Sequence, residues 1–123
     1  MEKEVDVIEF CEKLIELTKE EKCDWRETSE TDRYRLNLPS GSVEIKKETP
    51  SEFDFLGKTH YTMYLYDSKR NMFATYDEAN SLTDRFKKFS SLYYEIFSML
   101  EKKRRRKISV LFDDLMSPTG EKS

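Results

Sequence analysis

The stretch Arg33-Tyr34-Arg35-Leu36-Asn37-Leu38-Pro39-Ser40-Gly41-Ser42-Val43-Glu44-Ile45-Lys46 decides the fold. Tyr34, Leu36 and Leu38 alternate with Arg33, Arg35 and Asn37, and Val43 and Ile45 alternate with Ser42, Glu44 and Lys46. A period of two is the mark of a strand with one face buried and one wet. Between the two runs, Pro39 presets one backbone angle and Gly41 relaxes another, so Pro39-Ser40-Gly41 is a turn. The segment is an antiparallel hairpin.

The same period continues on both sides. Upstream, Cys23 and Trp25 alternate with Asp24 and Arg26. Downstream, Tyr61, Met63 and Leu65 alternate with His60, Thr62, Tyr64 and Tyr66. Asp67 to Asn71 then turns the chain, and Met72 to Tyr76 returns it. Short connections between these runs favour a meander, because parallel neighbours need crossovers of a dozen or more residues. Residues 49–58 interrupt the pattern with Pro50 and Gly57. Phe53, Phe55 and Leu56 make that loop apolar enough to fold back onto the domain or onto something else.

Helical spacing appears at the two ends. In residues 4–19, Val7, Cys11, Leu14 and Thr18 form one row, which Ile8, Phe10, Ile15 and Leu17 widen. In the last third, Leu82, Phe86, Phe89, Tyr93, Ile96 and Leu100 follow steps of four and three, with Asn80 or Ser81 available as a cap. The spacing predicts a helix over about 82–104 and a short terminal helix carrying Ile108, Leu111, Phe112, Leu115 and Met116. The expected fold is α+β, a two-layer sandwich. An antiparallel meander sheet of about five strands carries the N-terminal and C-terminal helices on one face. Trp25, Leu36, Ile45, Met63, Phe86, Phe89, Tyr93 and Ile96 are the expected core. Residues 1–117 read as one domain and 118–123 as a disordered tail.

Composition agrees with one modest core. The chain has 123 residues, of which 38% are charged, yet its eight Phe, seven Tyr and one Trp argue against a disordered chain. No run approaches the ~20 apolar residues of a membrane helix, and no signal peptide is visible after Met1, so a cytoplasmic location without membrane attachment is expected. Cys11 and Cys23 then read as reduced, buried thiols.

Catalytic chemistry finds little foothold. His60 is the one histidine and has no obvious nucleophile beside it; a strand-start histidine held by a hydrogen bond is the plainer reading. One histidine and two separated cysteines do not make a zinc set, and Asp113 and Asp114 diverge by about 100° on a helix. With glycines only at 41, 57 and 120 there is no phosphate loop. The expectation is no enzyme, no metal and no cofactor.

Two features bear on binding. The run Lys102, Lys103, Arg104, Arg105, Arg106 and Lys107 gives residues 85–107 nine bases against two acids, whereas residues 1–30 hold eleven acids against five bases. A solvated helix end partly neutralised by the acidic first helix is the plainer account; an anion-facing patch is the functional one. The sheet face opposite the helices carries Thr62, Tyr64, Tyr66 and Phe73, and outward aromatics are enriched at interfaces. In the Trp25 strand, the hairpin, the Tyr61–Tyr66 strand and Leu92-Tyr93-Tyr94, the chain resembles small bacterial and phage proteins of unassigned function. That resemblance implies an architecture and no site.

The function expected is a small non-enzymatic interaction or regulatory protein that self-associates, as a homodimer or with a protein partner. Thr62, Tyr64, Tyr66 and Phe73 are its interface. The alternatives are anion or nucleic-acid binding through Lys102–Lys107, and sequestration of a nucleotide by a phage-type protein.

Overall fold

The structure, a computed structural model, describes residues 5–51 and 57–117. It contains α1 (Val7–Lys19), β1 (Arg26–Glu27), β2 (Arg33–Leu38), β3 (Gly41–Glu48), β4 (His60–Asp67), β5 (Met72–Glu78) and α2 (Asp84–Met116). The five strands form one open antiparallel sheet in chain order. This is the α+β meander that the alternation implied.

Register explains which residues are buried. Tyr34 pairs with Ile45, Ile45 with Met63 and Met63 with Tyr76, a row that faces the helices. One residue along, Arg33, Lys46, Thr62 and Asp77 form a row on the opposite face. The core lies between sheet and helices and comprises Cys11, Leu14, Trp25, Leu36, Ile45, Met63, Phe89, Leu92 and Ile96 among others. Phe86, expected in the core, packs against its edge and is partly buried.

Local chemistry sets the helix ends. The Asp6 carboxylate accepts the Glu9 N–H at 2.8 Å and opens α1. At the other end Glu21 adopts a left-handed φ of 58°, and the Lys22 N–H closes on the Leu17 carbonyl at 2.9 Å. Thr18 donates to the Leu14 carbonyl at 2.6 Å and accepts from the Trp25 indole at 2.9 Å, tying the end of α1 to the start of the sheet.

The helices run side by side and in the same direction, from the β5 edge toward the β1 edge. Early in α2, Arg85 pairs with Glu78 of β5 at 3.1 Å, and the Phe86 ring meets Tyr61 edge-on at 5.1 Å. Midway, Tyr93 packs on Tyr34 of β2 at 5.4 Å, and beyond it Arg104 reaches Glu27 of β1 at 2.5 Å. Lys88 with Glu12 and Arg106 with Glu21 place α1 alongside.

Four expectations change. Cys23 and Trp25 are buried, but the strand that follows is only Arg26–Glu27. Thr83 caps α2 by accepting the Phe86 N–H at 3.1 Å, so Leu82 falls outside the helix and is exposed. α1 begins at Val7 rather than near residue 4. Above all, α2 is one helix of 33 residues with no break in the basic run. Successive bases point about 100° apart, which spreads the six charges around the helix and lets it continue. The expected packing of Phe53, Phe55 and Leu56 and the expected tail 118–123 lie outside the described residues.

Candidate interaction surface

A helix of 33 residues is roughly 50 Å long, whereas five strands span only about 19 Å across a sheet. Met99 is the last buried residue of α2, and Leu100 the last that packs against the core. Arg104–Met116 therefore overhang the β1 edge as a helical arm. Ile108, Leu111, Phe112 and Leu115 occupy positions i, i+3, i+4 and i+7 of that arm, one stripe. They are 58% to 83% exposed. An apolar stripe on an overhanging helix is what a partner surface normally covers.

The basic run forms the root of the arm. Lys103 faces Asp24 at 4.0 Å, Arg104 binds Glu27 and Glu101, and Arg106 binds Glu21 at 3.3 Å. The acids come from the connection between α1 and β1, from β1 and from α2 itself, not from Glu9, Glu12 or Glu16. These are solvent-screened pairs that orient the arm rather than anchor it. Among the described residues, Lys102, Arg105 and Lys107 have no ion pair and stand in solvent.

The sheet face away from the helices has its own network. Glu44 is only 2% exposed although it lies on that open face. Its carboxylate accepts from the Arg33 Nε at 2.5 Å and the Arg35 Nε at 2.7 Å. Arg33 also donates to Glu30 at 2.9 Å and to the Tyr66 hydroxyl at 3.0 Å, while its guanidinium covers the Tyr64 ring at 4.1 Å. Burial opposes the charge on Arg33, but the bonds from Glu44 and Glu30 outweigh it and hold the guanidinium protonated. Three of its five N–H donors are thus engaged, which fixes the guanidinium over the sheet face.

The four residues expected at an interface are placed as follows. Thr62, Tyr64 and Tyr66 lie on the face away from the helices. Thr62 is 7% exposed and donates to Asp77 at 2.9 Å. Tyr64 and Tyr66 are half-buried beneath Arg33. Phe73 is the unpaired residue of a bulge, since Leu65 pairs with Ala74 and Tyr66 with Met72. It is exposed but, unlike the expectation, lies on the side of α1, because the bulge turns it there: it lines an apolar recess of about 300 Å³ with Val5, Val7, Phe10, Leu38 and Leu65. The Arg33–Glu44–Arg35 clamp escaped the sequence reading, although Glu44 standing opposite Arg35 in the hairpin register is the signal that finds it.

The remaining chemistry is local. His60 meets the Asp77 carboxylate at 3.2 Å, the same oxygen that takes the Thr62 hydroxyl, so it is bonded at the start of its strand as expected. Cys11 and Cys23 are free and buried, and burial pushes the Cys11 thiol up to about 12. Near the end of β3, Lys47 donates to the Tyr94 hydroxyl at 2.5 Å; that bond lowers the Tyr94 pKa and raises that of Lys47. Among the described residues no cluster of His, Cys, Asp and Glu could hold a metal ion, and no helix is long and apolar enough to cross a membrane.

Compared with known proteins, the chain matches no family model, no curated protein and no solved structure at a significant level.

Proposed function

We propose that this chain is a small non-enzymatic interaction protein that self-associates through the arm of α2. One observation carries the reading: 13 residues of helix, Arg104–Met116, extend beyond the last core contact with Ile108, Leu111, Phe112 and Leu115 in water. A helical segment of that length is marginal unless an apolar face is packed. Burying the stripe contributes roughly 25 cal/mol per Å² removed from water. The arm thus gains both order and free energy from a partner, and the neighbouring domain of a second copy supplies apolar helix surface of the same kind. The thiols and the bonded histidine serve packing and the sheet face, which fits a binding role in a reducing, cytoplasmic setting.

The test is the solution mass. At micromolar concentration, light scattering should return twice the 14.8 kDa of the chain. Leu111→Asp combined with Leu115→Asp should return the single-chain mass with the Trp25 fluorescence of the folded domain retained, because both residues are exposed. A wild type that stays monomeric up to millimolar concentration removes the reading.

The three solvent-facing bases, Lys102, Arg105 and Lys107, favour a second reading, contact with a nucleic-acid backbone. It predicts affinity that falls with salt at a log–log slope of about −0.9 per duplex phosphate neutralised. Replacing the three bases with Ala should flatten that slope. Absence of binding to DNA and RNA at low salt refutes it.

A further inference from the structure

α2 carries a second row at coiled-coil spacing in addition to the row that enters the core. It runs from Tyr94 through Phe97, Glu101, Arg104, Ile108 and Leu111 to Leu115, in alternating steps of three and four. At about 100° per residue, this row sits roughly 130° around the helix from Phe89, Leu92, Ile96 and Met99. It is about half a turn from Lys88 and Arg106, whose side chains reach Glu12 and Glu21 on and just beyond α1. The row therefore marks the flank of α2 opposite α1. That flank is open even inside the domain, where Tyr94 is 46% and Phe97 44% exposed. The exposed Ile108, Leu111 and Leu115 continue it along the arm.

The charges in the middle of the row choose its partner. Glu101 and Arg104 occupy the centre, with apolar residues at either end. Parallel pairing of two copies sets Glu101 against Glu101 and Arg104 against Arg104, a repulsive arrangement in a partly dry seam. Antiparallel pairing about a two-fold axis between positions 102 and 103 sets Glu101 against the partner's Arg104, and the reverse. In the same register Phe97 meets the partner's Ile108, and Tyr94 meets the partner's Leu111. The row is complementary to itself in this direction alone.

We propose that a second copy of this chain docks antiparallel along this row, so that each arm lies beside residues 89–101 of the other copy. The inference rests on the self-association reading and gives it an orientation and a register. The arm then completes the partner's helical layer, in the order α1, α2, arm. The interface is isologous and closes on itself, as a two-fold dimer requires. A charged pair inside an apolar seam lowers affinity but fixes alignment. Arg104 is already oriented for this role by Glu101 of its own helix and by Glu27 at 2.5 Å.

The experiment uses the full chain. Glu101→Arg places four guanidiniums around the axis and should weaken the dimer at least tenfold in sedimentation equilibrium. Arg104→Glu should do the same through four carboxylates. The combined exchange, Glu101→Arg with Arg104→Glu, should return the dissociation constant to within about threefold of wild type, a rescue that a merely structural role does not produce. Phe97→Cys with Ile108→Cys should form an interchain disulfide under mild oxidation, while Leu115→Cys alone should not. The buried Cys11 and Cys23 are out of reach of that reaction. A dimer that lacks the charge-exchange rescue, or that links through Leu115→Cys alone, overturns the antiparallel register and leaves self-association through the arm standing. A monomer at every concentration overturns both.

Discussion

Glu44 offers the sharpest test of how the open sheet face is held. Its carboxylate is 2% exposed and lies between two guanidiniums. A charge-assisted hydrogen bond contributes about 1.5–3 kcal/mol net when its partners are shielded. The Arg33 side chain is 16% exposed, so its bond belongs in that range; Arg35 is 34% exposed, and solvent discounts its share. Glu44→Ala removes both and leaves two cations, Arg33 and Arg35, side by side on β2. We expect a loss of about 3 kcal/mol, at the lower end of what breaking a buried pair costs. Glu44→Gln keeps the shape and one acceptor oxygen, and should lose about half as much. The assay is urea unfolding followed by fluorescence of Trp25, which is buried and reports the packing of α1 on the sheet. With an unchanged slope, the midpoint shift gives the free energy directly. A double-mutant cycle with Arg33→Ala should return a coupling of at least 1 kcal/mol. If Glu44→Ala stays within about 0.5 kcal/mol of wild type, the carboxylate behaves as an ordinary surface acid, and the argument that Arg33 and Tyr64 shield it is wrong.

Other outcomes follow from burial, close packing and titration. Phe89→Ala, at a fully buried position, should cost about 3–5 kcal/mol, while Leu115→Ala on the arm should change unfolding of the isolated chain by less than about 0.5 kcal/mol; equal effects would mean that the arm packs on its own domain. Gly41→Ala should destabilise by about 2 kcal/mol or more, because the new Cβ overlaps the Tyr66 carbonyl on the adjoining strand; a neutral result in thermal melts would refute the close approach of β3 to β4. Folded Cys11 keeps its proton to about 12, whereas the unfolded thiol gives it up near 9, so this group's contribution is present below pH 9 and is lost as pH rises toward 12. Stability should fall through that window by at most about 1.4 kcal/mol per pH unit from this thiol, and Cys11→Ala should flatten the fall; an identical slope in the variant contradicts the assignment.

The hairpin of residues 33–46 shows what sequence reading does well. Alternation marked Tyr34, Leu36, Val43 and Ile45 as one buried face, but the register rests on the turn: Gly41, read as part of it, already belongs to β3 and pairs with Leu38, which sets Leu36 opposite Val43 and Tyr34 opposite Ile45. The core row of α2 from Phe89 to Ile96 was legible for the same reason, a period matched to its structure. The arm was less so. Six adjacent bases repel one another and left two courses open, a helix end that projects past the sheet edge or a bend; in three dimensions they point in different directions, and three of them meet acids at Glu21, Asp24 and Glu27. Those contacts depend on where the connection after α1 passes, which no local pattern encodes. Tyr64 and Tyr66 were correctly placed on the outer face but read as bare. Arg33 covers them by reaching across two strands, a contact set by side-chain length and sheet twist rather than by periodicity.

Every strand of this sheet pairs with its neighbour in the chain, and the two helices come from opposite ends of it. The loops closed in forming β2 through β5 are therefore short, and their entropic cost is small. Seating α1 against α2 is different, because it brings together residues such as Cys11 and Lys88, separated by most of the sequence. A chain wired this way should build its hairpins and its second helix first, on local contacts, and receive α1 last. Folding rates should then respond strongly to substitutions at Ile45 and Met63 and weakly to those at Leu14, whose loss should appear instead as faster unfolding.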